Sequence, residues 1–229
     1  MPSLRECADR ATLTAALAQH VARRLKEDLA KQEQAVLVVS GGKSPVPLFR
    51  ALSAQPLVWN RVAVTLADER WVPPDHADSN EALVRSHLLK SRAATALMLP
   101  LWTGDATPEA AVPAVSKSLD ALPHPFSEVI LGMGDDGHIA SLFPDAAELA
   151  EGLRTKASAL AVHPLHAPHA RLSLSLHALL NSRDLVLMIS GADKRAILER
   201  ALGDGPVEEL PVRAILRQTG VPVSIFWAP

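Results

Sequence analysis

A lone cysteine, Cys7, is the only one among 229 residues. An internal disulfide is therefore excluded, and a reducing, cytoplasmic setting is expected. No apolar run approaches the length needed to cross a bilayer. Polar and charged residues from Ser3 onward, including Arg5, Glu6, Asp9 and Arg10, leave no apolar signal-peptide core. Positive charge is not in excess either: 23 Lys and Arg against 25 Asp and Glu give a formal net charge of −2. That balance favours neither nucleic acid nor an anionic membrane, so any anion must be held by local cations. What is present, 48% hydrophobic and 21% charged residues, is the composition of a soluble globular protein with a substantial core. A single domain over 1–229 is expected.

A further absence decides the reading of "VLVVSGGKSP". Gly42-Lys43-Ser44 looks like the end of a nucleotide-binding P-loop, but the glycine required five positions before Gly42 is replaced by Leu37. Leu37 lies inside the apolar run Ala35 to Val39, which reads as a buried strand. Pro45 suits a first helical turn. The segment is thus a strand, a glycine turn and a helix N-terminus, too short for a triphosphate but suited to a monophosphate. An ordinary strand-to-helix turn is the plainer alternative.

Periodicity organises the remainder. Leu13, Leu17, Val21, Leu25 and Leu29 recur every fourth residue and predict an amphipathic helix. Strands are expected at Ala35 to Val39, Val62 to Leu66, Ala96 to Leu101, Val129 to Leu131, Arg171 to Leu176, Leu185 to Ile189 and Val223 to Phe226. Between them lie helices around Leu48 to Leu52, through Leu83 and Leu88 with Ser79 or Asn80 as cap, from Pro108, and over "GADKRAILERAL". Asp68 to Ser79 reads as a long polar loop. Strands alternating with helices predict an α/β, Rossmann-like fold: one mostly parallel sheet flanked by helices.

The polar segments "SGGKS", "DERWVP", "GMGDDGH" and "GADK" each follow a strand, so they should converge at the carboxyl rim of such a sheet. In "GMGDDGHIASLFP", His138 is a candidate general base. Asp135 or Asp136 is available to fix its tautomer. Asp68, Glu69 and Arg70 follow one another, and a loop has no period to say which faces inward. Arg171 and Lys194 are candidate phosphate partners. Lys194 falls in the first turn of its helix, where a cation is disfavoured unless an anion binds there. In "HPLHAPH", polyproline geometry would place His163, His166 and His169 on one face, a possible zinc set, with a solvated loop as the alternative.

Taken together, "SGGKSP", "ADERWVP", "LGMGDDGHIASLFP", "ARLSLSL" and "GADKRAIL" closely resemble the 6-phosphogluconolactonase family. The related glucosamine-6-phosphate deaminases share the glycine turn and a Gly-Asp-Gly-His loop, but continue Phe-Asn-Glu-Pro where this chain has Ser141-Leu142-Phe143-Pro144. Lys43, Ser173 and Ser175 are local variations on the family pattern. The resemblance implies a deaminase and ribose-5-phosphate isomerase type of fold. It also implies hydrolysis of 6-phospho-D-glucono-1,5-lactone, the second step of the oxidative pentose phosphate pathway. Combined with the residue reading, it puts His138, Asp136 and Arg70 in catalysis, and Gly41, Gly42, Ser44, Asp68, Arg171 and Lys194 in substrate binding. No metal or cofactor is implied. The expected partner is the small sugar-phosphate lactone, with no nucleic acid or membrane, acting on a monomer or weak homo-oligomer. Two competing readings are a sugar-phosphate deaminase or isomerase and a non-catalytic sugar-phosphate-binding module.

Overall fold

Apolar runs of four to six residues, too short for helices and without polar alternation, become strands buried on both faces. The computed structural model describes residues 2–229. Its first half contains β1 (Ser3–Glu6), α1 (Arg10–Leu29), β2 (Ala35–Val39), α2 (Val46–Ser53), β3 (Val62–Leu66), β4 (Asp68–Arg70), α3 (Asn80–His87), β5 (Leu97–Met98) and α4 (Pro108–Asp120). The second half contains β6 (Glu128–Leu131), α5 (Leu149–Arg154), β7 (Ala159–Val162), β8 (Arg171–Leu174), α6 (Leu176–Leu180), β9 (Leu185–Ser190), α7 (Ala192–Leu202), α8 (Arg213–Arg217) and β10 (Val223–Ala228).

Seven strands form one sheet in the order β1-β10-β9-β6-β2-β3-β5, and every pairing in it is parallel. This is the expected Rossmann-like architecture. Every residue of β2, β3 and β6 is buried. Leu13, Leu17, Val21 and Leu25 of α1 are at most 1% exposed, each worth about 1.5–3 kcal/mol of apolar burial. Asp9 caps that helix by accepting from Thr12 N at 2.7 Å. Ser79 caps α3 and Thr107 caps α4, with Pro108 opening the latter.

Several elements depart from the sequence expectation. The segment from Asp68 is not all loop: its first three residues form β4, which pairs antiparallel with β8, and β8 pairs antiparallel with β7. This small second sheet was hidden because β4 is short and charged, and hydrophobic period cannot mark it. The strand expected to reach Leu176 stops at Leu174, because Ser175 accepts from Ala178 N and starts α6. The expected strand at Ala96 to Leu101 shrinks to Leu97–Met98 at the sheet edge. β1 carries no hydrophobic signal in the sequence, since all four of its residues are exposed.

Candidate active site

Because β2, β3, β6 and β9 are parallel, their carboxyl ends lie on one rim, where open α/β sheets bind ligands. The segments leaving them, joined by Arg171 of β8, line a cavity of about 360 Å³ that includes Gly41, Gly42, Ser44, Asp68, Arg70, His138, Arg171 and Lys194. Asp136 stands behind His138. The convergence expected from the sequence is therefore realised.

The glycine turn requires its glycines. Gly42 has φ +87°, and a Cβ on Gly41 would lie closer than 3.0 Å to the Asn80 side chain. Asn80, read from sequence only as a possible cap, turns out to line the pocket. Its Nδ2 donates to Asp68 O at 2.8 Å, while its buried Oδ1 has no partner among the described residues. No sequence signal distinguished this residue from any other at a helix start.

The β4–β8 pairing sorts the Asp68-Glu69-Arg70 triplet. Alternation along a strand puts Asp68 and Arg70 on one face and Glu69 on the other. Asp68 Oδ2 accepts from Ser141 Oγ at 2.6 Å. Glu69 is fully buried away from the cavity, accepting from Asn80 N and Glu81 N at 2.7 Å each, Arg70 N at 2.8 Å and Ser79 Oγ at 3.2 Å. Burial pushes its carboxyl up to about 7 against the pull of these donors. It ties the start of α3 to β4 and takes no part in the pocket.

Arg70 and Arg171 are direct partners across β4 and β8. Like charges placed opposite one another destabilise a sheet. Arg70 Nη1 donates to Asp78 O at 2.6 Å and Arg171 Nη2 to Pro168 O at 3.0 Å, yet the buried Nε of each has no partner among the described residues. Burial pulls the Arg171 guanidinium below its ordinary value, and Arg70 adds to this while Asp68 opposes it. Both arginines line the cavity, and two guanidinium groups so placed are chemically suited to an anion.

His138 is held from two sides. Its Nδ1 lies 2.6 Å from Asp136 Oδ1, and its ring packs on Phe143 with centroids 4.1 Å apart. Of the two candidate carboxylates, Asp136 is thus the one that fixes the imidazole, leaving Nε2 as the nitrogen available to a ligand. Burial works to raise the Asp136 carboxyl, but its contacts with His138 prevail and hold it below the ordinary value. Gly134 makes room for the pair, since a Cβ there would come closer than 3.0 Å to both His138 Nδ1 and Asp136 Oδ1. Beyond the histidine, Ala140 adopts φ +48°, a strained conformation held in place as Ser141 N donates to Ser173 Oγ at 3.1 Å. Ser173 and Ser175 thus serve the scaffold.

Lys194, at the third position of α7, pairs with Asp135 at 2.7 Å. The three histidines of the proline-rich segment go to separate carboxylates: His163 to Glu109 and Glu148, His166 to Asp145, and His169 to Asp78. They do not form a common ligand set. Among the described residues, two other groups bring ligand atoms within 4.8 Å of one another: His76, Asp78 and His169, and His20, Glu128 and Asp184. The second lies where β6 begins and just before β9, at the opposite end of the sheet from the cavity.

The family model for glucosamine-6-phosphate isomerases/6-phosphogluconolactonase matches residues 8–227. A 6-phosphogluconolactonase of Pseudomonas putida is 44% identical over 98% of this chain and 92% of its own length. One from Pseudomonas aeruginosa is 46% identical over 93% of this chain and 89% of its own. The crystal structure of a 6-phosphogluconolactonase from Shewanella baltica superposes with a TM-score of 0.99 at 41% identity, covering 100% of this chain and 98% of that one. The chain belongs to the glucosamine-6-phosphate isomerase/6-phosphogluconolactonase family.

Proposed function

We propose that this chain hydrolyses 6-phospho-D-glucono-1,5-lactone to 6-phospho-D-gluconate, the lactonase step of the oxidative pentose phosphate pathway, with water as nucleophile and His138 as its base. The observation that carries the mechanism is the sharing of one cavity by an Asp136-oriented imidazole and by Arg70, Arg171 and Lys194.

The 6-phosphate sits against the glycine turn at Gly41 and Gly42, with Ser44, Arg171 and Lys194 as its side-chain partners. Binding this remote group positions C1 for attack. His138 Nε2 takes a proton as water adds to the lactone carbonyl, and Asp136 stabilises the imidazolium that forms. Arg70 or N–H groups of the Gly132–Gly134 loop stabilise the tetrahedral oxyanion, worth about 3–4 kcal/mol per well-placed donor. The intermediate collapses by breaking the bond from C1 to the ring oxygen, which leaves as a hydroxyl after receiving the proton from His138. A lactone is already an activated ester, so the steps balance without a covalent enzyme intermediate.

The test compares hydrolysis of the lactone with and without its 6-phosphate, corrected for spontaneous ring opening. The phosphorylated lactone should be strongly preferred, Arg171→Met should erode that preference, and His138→Ala should lose turnover while retaining phosphate affinity. Wild-type turnover in a folded His138→Ala protein would remove the base. Ammonia released from glucosamine 6-phosphate would favour the deaminase chemistry, and saturable binding without turnover a sensing module.

A further inference from the structure

The glycine–histidine loop carries adjacent carboxylates that do different things. Asp136 turns toward His138, whereas Asp135 Oδ1 reaches across to Lys194 Nζ at 2.7 Å. The two ends of that ion pair differ sharply: the Lys194 side chain is 24% exposed and lines the cavity, while the Asp135 side chain is 88% exposed. Among the described residues, the Asp135 side chain has no other hydrogen-bond partner. A carboxylate held only through one lysine can swing into solvent at little cost, because its backbone is kept in place by Gly134 N donating to His138 O at 2.9 Å and Gly137 N donating to Gly134 O at 3.1 Å.

We propose that Asp135 is a competing counter-ion built into the phosphate subsite: it neutralises Lys194 in the empty pocket and must yield it to an incoming phosphate dianion. Asp135 thereby sets how weakly phosphorylated ligands, product included, are held. The inference rests on the reading of Lys194 as a phosphate partner. Its physical basis is that Lys194, near the positive end of α7, needs an anion in either state. A carboxylate at contact distance supplies one without solvating the lysine, and a dianion replaces it with more charge. Exposed ion pairs of this kind are weak, so the exchange tunes affinity without blocking entry. Because product and substrate carry the same phosphate, the same exchange speeds product departure.

The experiment measures inhibition by inorganic phosphate and by 6-phosphogluconate in wild type, Asp135→Asn, Lys194→Gln and the double variant. Asp135→Asn should tighten both inhibitors by about 1.5- to fivefold, the range expected when an exposed ion pair no longer has to be broken, and the gain should shrink as salt screens it. Lys194→Gln should weaken both, and in its background Asp135→Asn should change little. Unchanged or weaker inhibition in Asp135→Asn, with Lys194→Gln still weakening it, would overturn the competing role alone. Unchanged inhibition in Lys194→Gln would instead remove Lys194 from the phosphate site. Since Asp135 is so exposed, its asparagine variant should fold as wild type does, which a thermal melt checks.

Discussion

Replacing Gly134 by alanine perturbs the proposed base without removing any group that reacts. The added Cβ would lie closer than 3.0 Å to His138 Nδ1 and Cε1 and to Asp136 Oδ1, separations that side chains cannot tolerate. One partner must move, so the 2.6 Å contact between imidazole and carboxylate is lost. The cationic residues of the cavity come from other elements and stay in place. Positioned general bases contribute about 10²–10⁴ in rate, so Gly134→Ala should lower kcat/KM by about 10²-fold or more, equivalent to about 2.7 kcal/mol of transition-state stabilisation. Overpacking costs about 1–3 kcal/mol of stability, and about 2–4 °C of Tm per kcal/mol for a chain this long. An assay well below the melting range therefore separates rate from folding. The readout is acid released from the phosphorylated lactone, corrected for spontaneous hydrolysis, alongside inhibition by inorganic phosphate. Phosphate inhibition should stay within about fivefold of wild type, because the cations come from other elements and only the exposed Asp135 contact to Lys194, next to the substituted residue, can shift. A folded Gly134→Ala protein with near-wild-type turnover would refute the idea that the Asp136 contact matters for the base.

Other outcomes follow from neighbouring features. Gly41→Ala drives a Cβ into Asn80 and should raise KM for the phosphorylated lactone by about tenfold, or about 1.4 kcal/mol. Glu69→Ala strands the buried donors of Arg70, Ser79, Asn80 and Glu81, so urea unfolding should show a loss of about 2–4 kcal/mol. At the far end of the sheet, His20 lies 2.9 Å from Asp184 and 3.6 Å from Glu128. Hydrogen bonding to Asp184 and then Glu128 pushes its imidazole from 6.5 up to about 9, and burial pushes Glu128 from 4.5 up to about 7. Both groups bind protons more tightly folded than unfolded. Their stabilisation is therefore complete at low pH, lost for Glu128 as pH rises through about 7 and for His20 as it rises through about 9. The unfolding free energy from urea titrations should fall by an amount on the order of 3 kcal/mol between neutral and strongly alkaline pH, and His20→Gln should flatten that slope.

Much of this molecule was legible in its amino-acid order because the relevant signals are local. The fourfold spacing from Leu13 to Leu29 gave α1, and apolar runs such as Ala35 to Val39 gave the central strands. Polar loops after those strands had to meet once the sheet was parallel, so the approach of His138 to Lys194 follows from local signals, whereas Arg171 opens β8 and reaches the cavity through pairing with β4. Short charged β4 and fully exposed β1 were not legible, since their pairing is decided by distant partners and not by their own composition.

The order of residues alone determined the α/β alternation, the missing P-loop glycine at Leu37, and the motifs that mark the family. Tertiary structure alone decided which of two adjacent aspartates orients His138 and which holds Lys194. It also set Arg70 opposite Arg171, turned Glu69 inward and brought Asn80 onto the pocket. The physical reason is range: backbone period and turn chemistry are written within a few neighbours, but the direction of a loop side chain depends on partners brought near only when strands far apart in the chain pack together.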